Sequence, residues 1–309
     1  MPKTYSMATK SQSPVSAKID SYPKGAWTKA EANQKHWRFG KYSFAENDVK
    51  QWAAWGFDYL KYDWSPIDVP HVEEMSKALR SCGRDIVFSL SNSASFTHAA
   101  DFSRLANCWR TTGDIHDRWE TNSGEWQYGV SEIGFNQDRW APFARPGHWN
   151  DPDMLVVGHV GWGPALHLTK LTPDEQYSHI SLWCLLAAPL LIGCDMERLD
   201  PFTLGLLSND EVLAVDQDAL GRPATRVGTV GAADVFLKEL EDGSRALGFF
   251  NRASQTETVT YNKLGRVGLP GKYKVRDLWR RKDLEETRGS LKLTIPGHGV
   301  KLLKLTRVE

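Results

Sequence analysis

"YLKYDWS", residues 59–65, is the stretch on which the reading of this chain turns. A lysine and an aspartate stand two apart in a run that is otherwise aromatic and apolar. Side chains alternate across a β-strand. As a strand, the stretch presents Tyr59, Lys61 and Asp63 on one face and Leu60, Tyr62 and Trp64 on the other. Buried charge is costly unless it is paired, so such a face needs a reason. Two are open: Lys61 and Asp63 form an internal ion pair, or they serve chemistry at the end of the strand.

Outward from this strand the chain has a rhythm. "AENDVKQWAAWG" (45–56) has helical spacing and a closing glycine, and "PHVEEMSKALRSCG" (70–83) is a helix with proline at its start and Gly83 at its end. "DIVFSLS" (85–91) reads as a strand, "SFTHAADFSRLAN" (95–107) as a helix and "CWRTTGDI" (108–115) as a strand. "SEIGFNQDRWAPF" (131–143) is helical in pattern. "TPDEQYSHISLWCLLAA" (172–188) opens with Thr172, Pro173 and Glu175, a capping-box arrangement. "PLLIGCDM" (189–196) is a strand, and "SNDEVLAVDQDALG" (208–221) is helical. Strands alternating with helices predict an α/β domain with a parallel sheet. Near residue 222 the texture changes to short alternating runs broken by Gly, Pro and Asn, such as "DVFLKELEDGSRALGFFNRA" (234–253) and "GSLKLTIP" (289–296). Those predict antiparallel β-structure. The expected organisation is a polar, Ser/Lys-rich segment 1–20 without order, an α/β domain over 21–221 and a β-sandwich over 222–309.

Composition excludes several classes. Lys+Arg and Asp+Glu both number 38, so the chain has no basic excess with which to hold a polyanion, and no nucleic acid is expected as a partner. The four cysteines, Cys82, Cys108, Cys184 and Cys194, have neither zinc-site nor CxxC spacing. The longest apolar run, 182–194, is shorter than the roughly 20 residues that cross a bilayer, so no membrane span is expected. Residues 1–20 lack the apolar core of a signal peptide. No GxSxG, P-loop or helix-opening GxGxxG occurs, which removes support for serine-nucleophile and nucleotide chemistry, and no cofactor is expected. The thirteen tryptophans fit either core packing or the gripping of flat sugar faces.

In a parallel α/β barrel the reactive groups lie at the C-terminal ends of strands. The carboxylates in such places are Asp63, Asp114, the pair Asp151 and Asp153 in "HWNDPDM", and Asp195. Arg110 lies four residues before Asp114 and shares its strand face. Two carboxylates from different strand ends are what retaining glycoside cleavage needs: one attacks the anomeric carbon, and the other protonates the leaving oxygen and then activates water. A lysine beside the nucleophile and an arginine near the acid hold the nucleophile ionised and bind sugar hydroxyls. A metal set of His148, Asp151 and Asp153 is the competing reading. "NDPD" also suits a turn whose side chains bond their own backbone, and with no second histidine cluster no metal is expected. A Schiff-base role for Lys61 in a lyase or aldolase is opposed by Asp63, which keeps the amine protonated.

"WGFDYLKYDW", "WRTTGDIHDRW", "GHWNDPDMLVVG", "SLWCLLAAPLLIGCDM" and "DEVLAVDQDALG", in this order, resemble the α-galactosidase/melibiase family of glycoside hydrolases, which includes α-N-acetylgalactosaminidases. The likeness runs from about residue 40 to residue 309 and takes in "VRDLW" and "HGVKLL" near the C-terminus. It implies a (β/α)8 TIM barrel, an antiparallel β-sandwich after it, and a retaining double displacement. It implies Asp63 as nucleophile at the end of strand 4, Asp114 as acid/base at the end of strand 6, and Lys61 and Arg110 as sugar-binding groups. Asp151 and Asp153, and likewise Asp216, Gln217 and Asp218, are implied to be structural. The implied partner is a galactose-containing oligosaccharide or glycoconjugate. Members are often secreted or lysosomal, which leaves the compartment of this chain open.

Three departures matter. Where family members often carry Cys-Glu-Trp after strand 5, this chain has "SLSNSAS", with the small Ser91 near the sugar 2-position. That resembles relatives that accept a 2-acetamido group; β-L-arabinopyranosides are a further alternative. Trp64 follows the nucleophile where other members have a small or polar residue; narrowing the site, stacking on the sugar and packing under a loop are the open roles. Nothing in residues 1–40 resembles the first three barrel strands. The expectation is therefore a barrel truncated to about strands 4–8, less stable than an intact member and self-associating through exposed sheet edges. A catalytically silent, sugar-binding remnant is the competing function.

Overall fold

The computed structural model describes residues 43–63, 67–121, 127–161 and 165–308. The segment 1–20, expected to lack order, and Trp64 lie outside these residues. The chain falls into two compact units, Met1–Trp109 and Arg110–Glu309.

The first unit is built of βαβ repeats. Helix α1 (Ala45–Ala54) leads into strand β1 (Tyr59–Tyr62). Helix α2 (Val69–Ser81) returns the chain to β2 (Val87–Leu90), and α3 (Ala99–Leu105) returns it to β3 (Cys108–Arg110). β1 pairs parallel with β2 from Tyr59↔Val87 to Tyr62↔Leu90, and β2 pairs parallel with β3 at Ser89↔Cys108. Local chemistry sets these boundaries. Asp68 caps α2 by accepting the His71 N–H at 3.0 Å, Pro70 sits in the first turn, and Gly83 follows the helix with φ +78°. α2 buries Val72, Met75, Ala78 and Leu79, and the sheet beneath buries Phe88 and Leu90. Residues 95–107 depart from a single helix: a 3-10 turn over Phe96–His98 precedes α3. Trp55, Phe57, Tyr59 and Val87 remain exposed.

The second unit begins with short parallel segments. The N–H of Thr111, just past β3, donates to the carbonyl of Asp151 at 2.9 Å. Then follow β4 (Asp114–Ile115), β5 (Gln127–Tyr128), helix α4 (Val130–Gly134), β6 (Trp149–Asp151), and the β7 (His159–Val160) and β8 (His167–Leu168) ladder. The helix expected over 131–143 stops at Gly134, and a 3-10 turn covers Asp138–Phe143. Asn136 Nδ2 and Gln137 Nε2 donate to the carbonyls of Glu132 and Ile133, so side chains satisfy groups that a continuing helix would have bonded. The strand expected at 189–196 reduces to one parallel bridge, Leu155↔Ile192. Pro189 has no N–H, and the Leu191 N–H turns back to the Pro189 carbonyl.

Helix α5 (Pro173–Leu185) organises the unit. Its cap is reciprocal: the Glu175 N–H donates to Thr172 Oγ1, and Glu175 Oε2 accepts from the Thr172 N–H. It is followed by α6 (Pro201–Leu207), α7 (Asp210–Asp216) and the antiparallel strands β9 (Thr225–Val230), β10 (Ala233–Glu239), β11 (Arg245–Asn251), β12 (Glu257–Tyr261), β13 (Tyr273–Asp277), β14 (Lys282–Thr287), β15 (Leu291–Ile295) and β16 (Val300–Arg307). One sheet runs β14-β13-β16-β11-β10-β9; β12 and β15 form its partner. Strand alternation divides the large sheet. Val235, Leu247, Phe249 and Leu303 face Val259, Tyr261 and Leu293. Phe236, Ala246, Phe250 and Leu302 face the other way, into a core with Leu182, Trp183 and Leu185 of α5. The contact is close: a Cβ at Gly248 would stand 2.5 Å from Leu185 Cδ1. Burial of these apolar groups, worth about 1.5–3 kcal/mol per large side chain, ties the sandwich to the helix.

Candidate active site

Each unit carries part of the predicted chemistry. In the first, β1 alternates as its sequence requires. Tyr62 is buried, and Lys61 and Asp63 are exposed together. The internal ion pair considered for them does not form, and neither side chain makes a hydrogen bond or ion pair among the described residues. Burial pushes the Tyr62 hydroxyl up from its usual range, with Glu74 and Asp68 adding to the effect. Ser91, one residue past β2, is buried. Its N–H donates to the Tyr62 carbonyl at 3.1 Å, and its Oγ donates to Asn92 Oδ1 at 3.1 Å.

In the second unit Asp114 opens β4 with about a quarter of its side chain exposed. Arg110 is buried, and its Nη2 lies 3.3 Å from Asp114 Oδ1, 3.0 Å from the Gly113 carbonyl and 2.6 Å from Asp153 Oδ2. Asp153 is the anchor of this group. Its Oδ2 also accepts the Ile115 N–H at 2.8 Å and its Oδ1 the Met154 N–H at 2.8 Å. Its own N–H donates to Asp151 Oδ1, and its carbonyl accepts Trp183 Nε1 at 2.7 Å. The backbone at Asp153 has φ +85°, a conformation that short polar side chains tolerate best. Burial pushes the Asp153 carboxyl up from the usual carboxylate range, and Arg110 with the two N–H groups hold it back. The first half of "NDPD" closes β6, the Asp151 side chain bonds the backbone two residues on, and Asp153 fixes both Arg110 and the backbone on the far side of Asp114.

Around Asp114 the structure adds residues that sequence reasoning passed over. Asp117 Oδ2 accepts the Lys170 N–H at 3.0 Å and lies 3.0 Å from His167 Nε2, which docks the β7–β8 hairpin on the segment after β4. Trp119 stacks on His298, ring centroids 4.7 Å apart. The buried His179 accepts the Val156 N–H on Nε2 and is pushed down to about 3 by burial. No local pattern marks these groups, because each partner lies far along the chain. Trp64 lies outside the described residues. The described residues include no helix long and apolar enough to cross a membrane.

Comparison with known proteins gives a consistent set of relatives. A family profile described as alpha galactosidase A matches residues 31–218, and one described as the alpha galactosidase C-terminal beta sandwich domain matches residues 230–305. Alpha-galactosidase 2 of Arabidopsis thaliana is 36% identical, over 96% of this chain and 76% of that protein. An alpha-galactosidase of Oryza sativa subsp. japonica is 37% identical, over 86% of this chain and 61% of that protein. The crystal structure of a GH27 β-L-arabinopyranosidase from Geobacillus stearothermophilus superposes with TM-score 0.77 at 31% identity, covering 86% of this chain and 62% of the other. The chain therefore spans about three fifths to three quarters of the length of these relatives.

Proposed function

Because the chain belongs to the alpha-galactosidase A family, we propose that it hydrolyses terminal α-D-galactosides by a retaining double displacement. Asp63 is the nucleophile. Its oxygen attacks the anomeric carbon as the glycosidic bond breaks, and Asp114 gives its proton to the departing oxygen. A glycosyl ester on Asp63 results. Asp114, now a carboxylate, takes a proton from water, the water oxygen attacks the anomeric carbon, and Asp63 leaves with the α configuration restored.

The observation that carries this reading is the state of β1. Its C-terminal end presents Asp63 and Lys61 exposed on one face, without protein partners among the described residues, while the alternate residue Tyr62 is buried. An exposed carboxylate at the end of a parallel strand is placed for substrate rather than for packing. Lys61 supplies a positive charge and donors for sugar hydroxyls. Arg110 holds Asp114 and binds sugar through what its protein partners leave free. Ser91 leaves room at the sugar 2-position. β-L-Arabinopyranose, which resembles α-D-galactose without its exocyclic carbon, and α-N-acetylgalactosaminides are the alternative substrates.

A second reading is that the chain binds galactosides without turning them over. One panel separates the two. Aryl α-galactoside, α-N-acetylgalactosaminide and β-L-arabinopyranoside are offered to the wild type and to Asp63→Asn and Asp114→Asn. Hydrolysis by the wild type and its loss in both variants supports the mechanism. Galactose binding without hydrolysis supports the second reading, and full activity in both variants removes both carboxylates from the chemistry.

A further inference from the structure

The turn Pro296–Gly299, between β15 and β16 of the sandwich, carries a histidine with more partners than a surface turn requires. His298 adopts φ +52° between two glycines, a left-handed conformation that is uncommon outside glycine and that histidine enters more readily than most residues. Its N–H donates to the Ala253 carbonyl at 2.9 Å, and its carbonyl accepts Ser178 Oγ at 2.6 Å. Its ring is held from two sides. Nδ1 lies 2.8 Å from Glu175 Oε1, and since a carboxylate only accepts, Nδ1 carries the hydrogen. The flat face lies on the indole of Trp119, with the two planes 10° apart.

One of these partners, Trp119, belongs to the segment that begins at Asp114, and another, Glu175, belongs to α5. Glu175 is the carboxylate of the α5 capping box, so one side chain caps the helix with Oε2 and holds the sandwich turn with Oε1. Trp119 ends a stretch pinned at successive points. The Ile115 N–H is held by Asp153, the His116 N–H by the Tyr128 carbonyl, and Asp117 by the β7–β8 hairpin. The carbonyls of Arg118 and Trp119 accept from the Val130 and Ser131 N–H groups. Five residues carry this stretch from Asp114 to a ring clamped by the sandwich.

We propose that His298 is a positioning residue for the segment Asp114–Trp119, through which the β-sandwich fixes the placement of the acid/base carboxyl. The catalytic part of this inference rests on the role assigned to Asp114 above. A proton donor must lie within hydrogen-bond reach of the departing oxygen, and loosening its support costs most where the leaving group needs that proton.

The test compares the wild type with His298→Ala, His298→Phe, which keeps the stack and loses the bond to Glu175, and Glu175→Gln, which keeps an acceptor for His298. Amide exchange is followed at Val130 and Ser131, with β13 as internal control. Hydrolysis is followed on two α-galactosides, one with dinitrophenolate and one with methanol as leaving group. Exchange at Val130 and Ser131 rises in His298→Ala, with partial return in His298→Phe, while β13 is unchanged. The kcat/KM for the methyl galactoside falls about tenfold more than for the dinitrophenyl galactoside, a fraction of the roughly 10²–10⁴ that general acid catalysis contributes. Unchanged exchange overturns the clamp. Faster exchange with equal loss on both galactosides overturns the positioning role and leaves a structural one. If the wild type hydrolyses neither compound, the assignment of Asp114 falls and takes the catalytic part with it, while exchange still decides whether the clamp exists. If His298→Ala does not fold, His298→Phe gives the same two readings, with Glu175→Gln, which keeps the acceptor, expected to match the wild type.

Discussion

Replacing Asp153 by asparagine removes one charge and little else, because asparagine tolerates the left-handed backbone at this position as well as aspartate does. The cost follows from the hydrogen-bond geometry. All three groups facing the carboxylate are donors: Arg110 Nη2 and the Ile115 N–H at Oδ2, and the Met154 N–H at Oδ1. A primary amide offers one acceptor and one donor. With its oxygen toward Arg110 and Ile115, its NH2 opposes the Met154 N–H; flipped, it opposes two donors. At least one buried donor loses its partner in either pose, which costs about 1–3 kcal/mol. Arg110 also loses its closer carboxylate but keeps Asp114, so the full cost of about 3–5 kcal/mol for stranding a buried charge does not apply. The expected loss is about 2–4 kcal/mol. Urea unfolding of wild type and Asp153→Asn, followed by near-ultraviolet circular dichroism, measures it. The galactosidase kcat falls with it, because Arg110 no longer holds Asp114 from a fixed position. A variant as stable as the wild type would refute the claim that Asp153 anchors this group.

Two histidines give pH dependences of opposite sign. His179 is buried with its pKa lowered to about 3, so its folded pKa lies below its unfolded one. Its contribution is present above the unfolded value near 6.5 and is lost as pH falls toward 3, which amounts to about 2 kcal/mol between pH 7 and pH 5. His179→Gln, which retains an acceptor for the Val156 N–H, should lack this component, and parallel acid curves for the two proteins would count against it. His167 is raised by the Ala165 carbonyl and by Asp117, so its bond to Asp117 is fully present below the unfolded value and weakens as pH rises through the folded one. Amide exchange at Lys170, corrected for intrinsic rate, should therefore quicken at alkaline pH in the wild type and show no such step in His167→Gln. Trp55 and Phe57 are at least half exposed and make an edge-on pair. They should bind a hydrophobic dye, and Trp55→Ser with Phe57→Ser should reduce its fluorescence; a wild type that binds no dye contradicts this.

The parts of the fold legible in the sequence are those whose signals are local. The alternation of 59–63, the Thr172 cap, and the proline and Gly83 that bracket α2 each depend on residues within about four positions. The exceptions have local causes of another kind. Asn136 and Gln137 end a helical pattern with their side chains, and Pro189 removes the N–H that a strand at 189–196 needed. The supports of the site were hidden for a different reason. The bond of "NDPD" to its own backbone is recognisable, but its hold on Arg110 spans more than forty positions. The bond from Ser178 to the His298 carbonyl spans 120. No periodicity records contacts that form only when a helix and a distant turn meet.

The central claim is that Asp63 attacks the sugar, and mechanism-based trapping tests it most directly. The wild type is incubated with 5-fluoro-α-D-galactosyl fluoride, whose departing fluoride needs no acid and whose ring fluorine slows release of the intermediate. It is then digested, and the labelled peptide is sequenced by mass spectrometry. One fluorogalactosyl ester is expected, carried by Asp63. An ester on Asp114 or on any other carboxylate would contradict it.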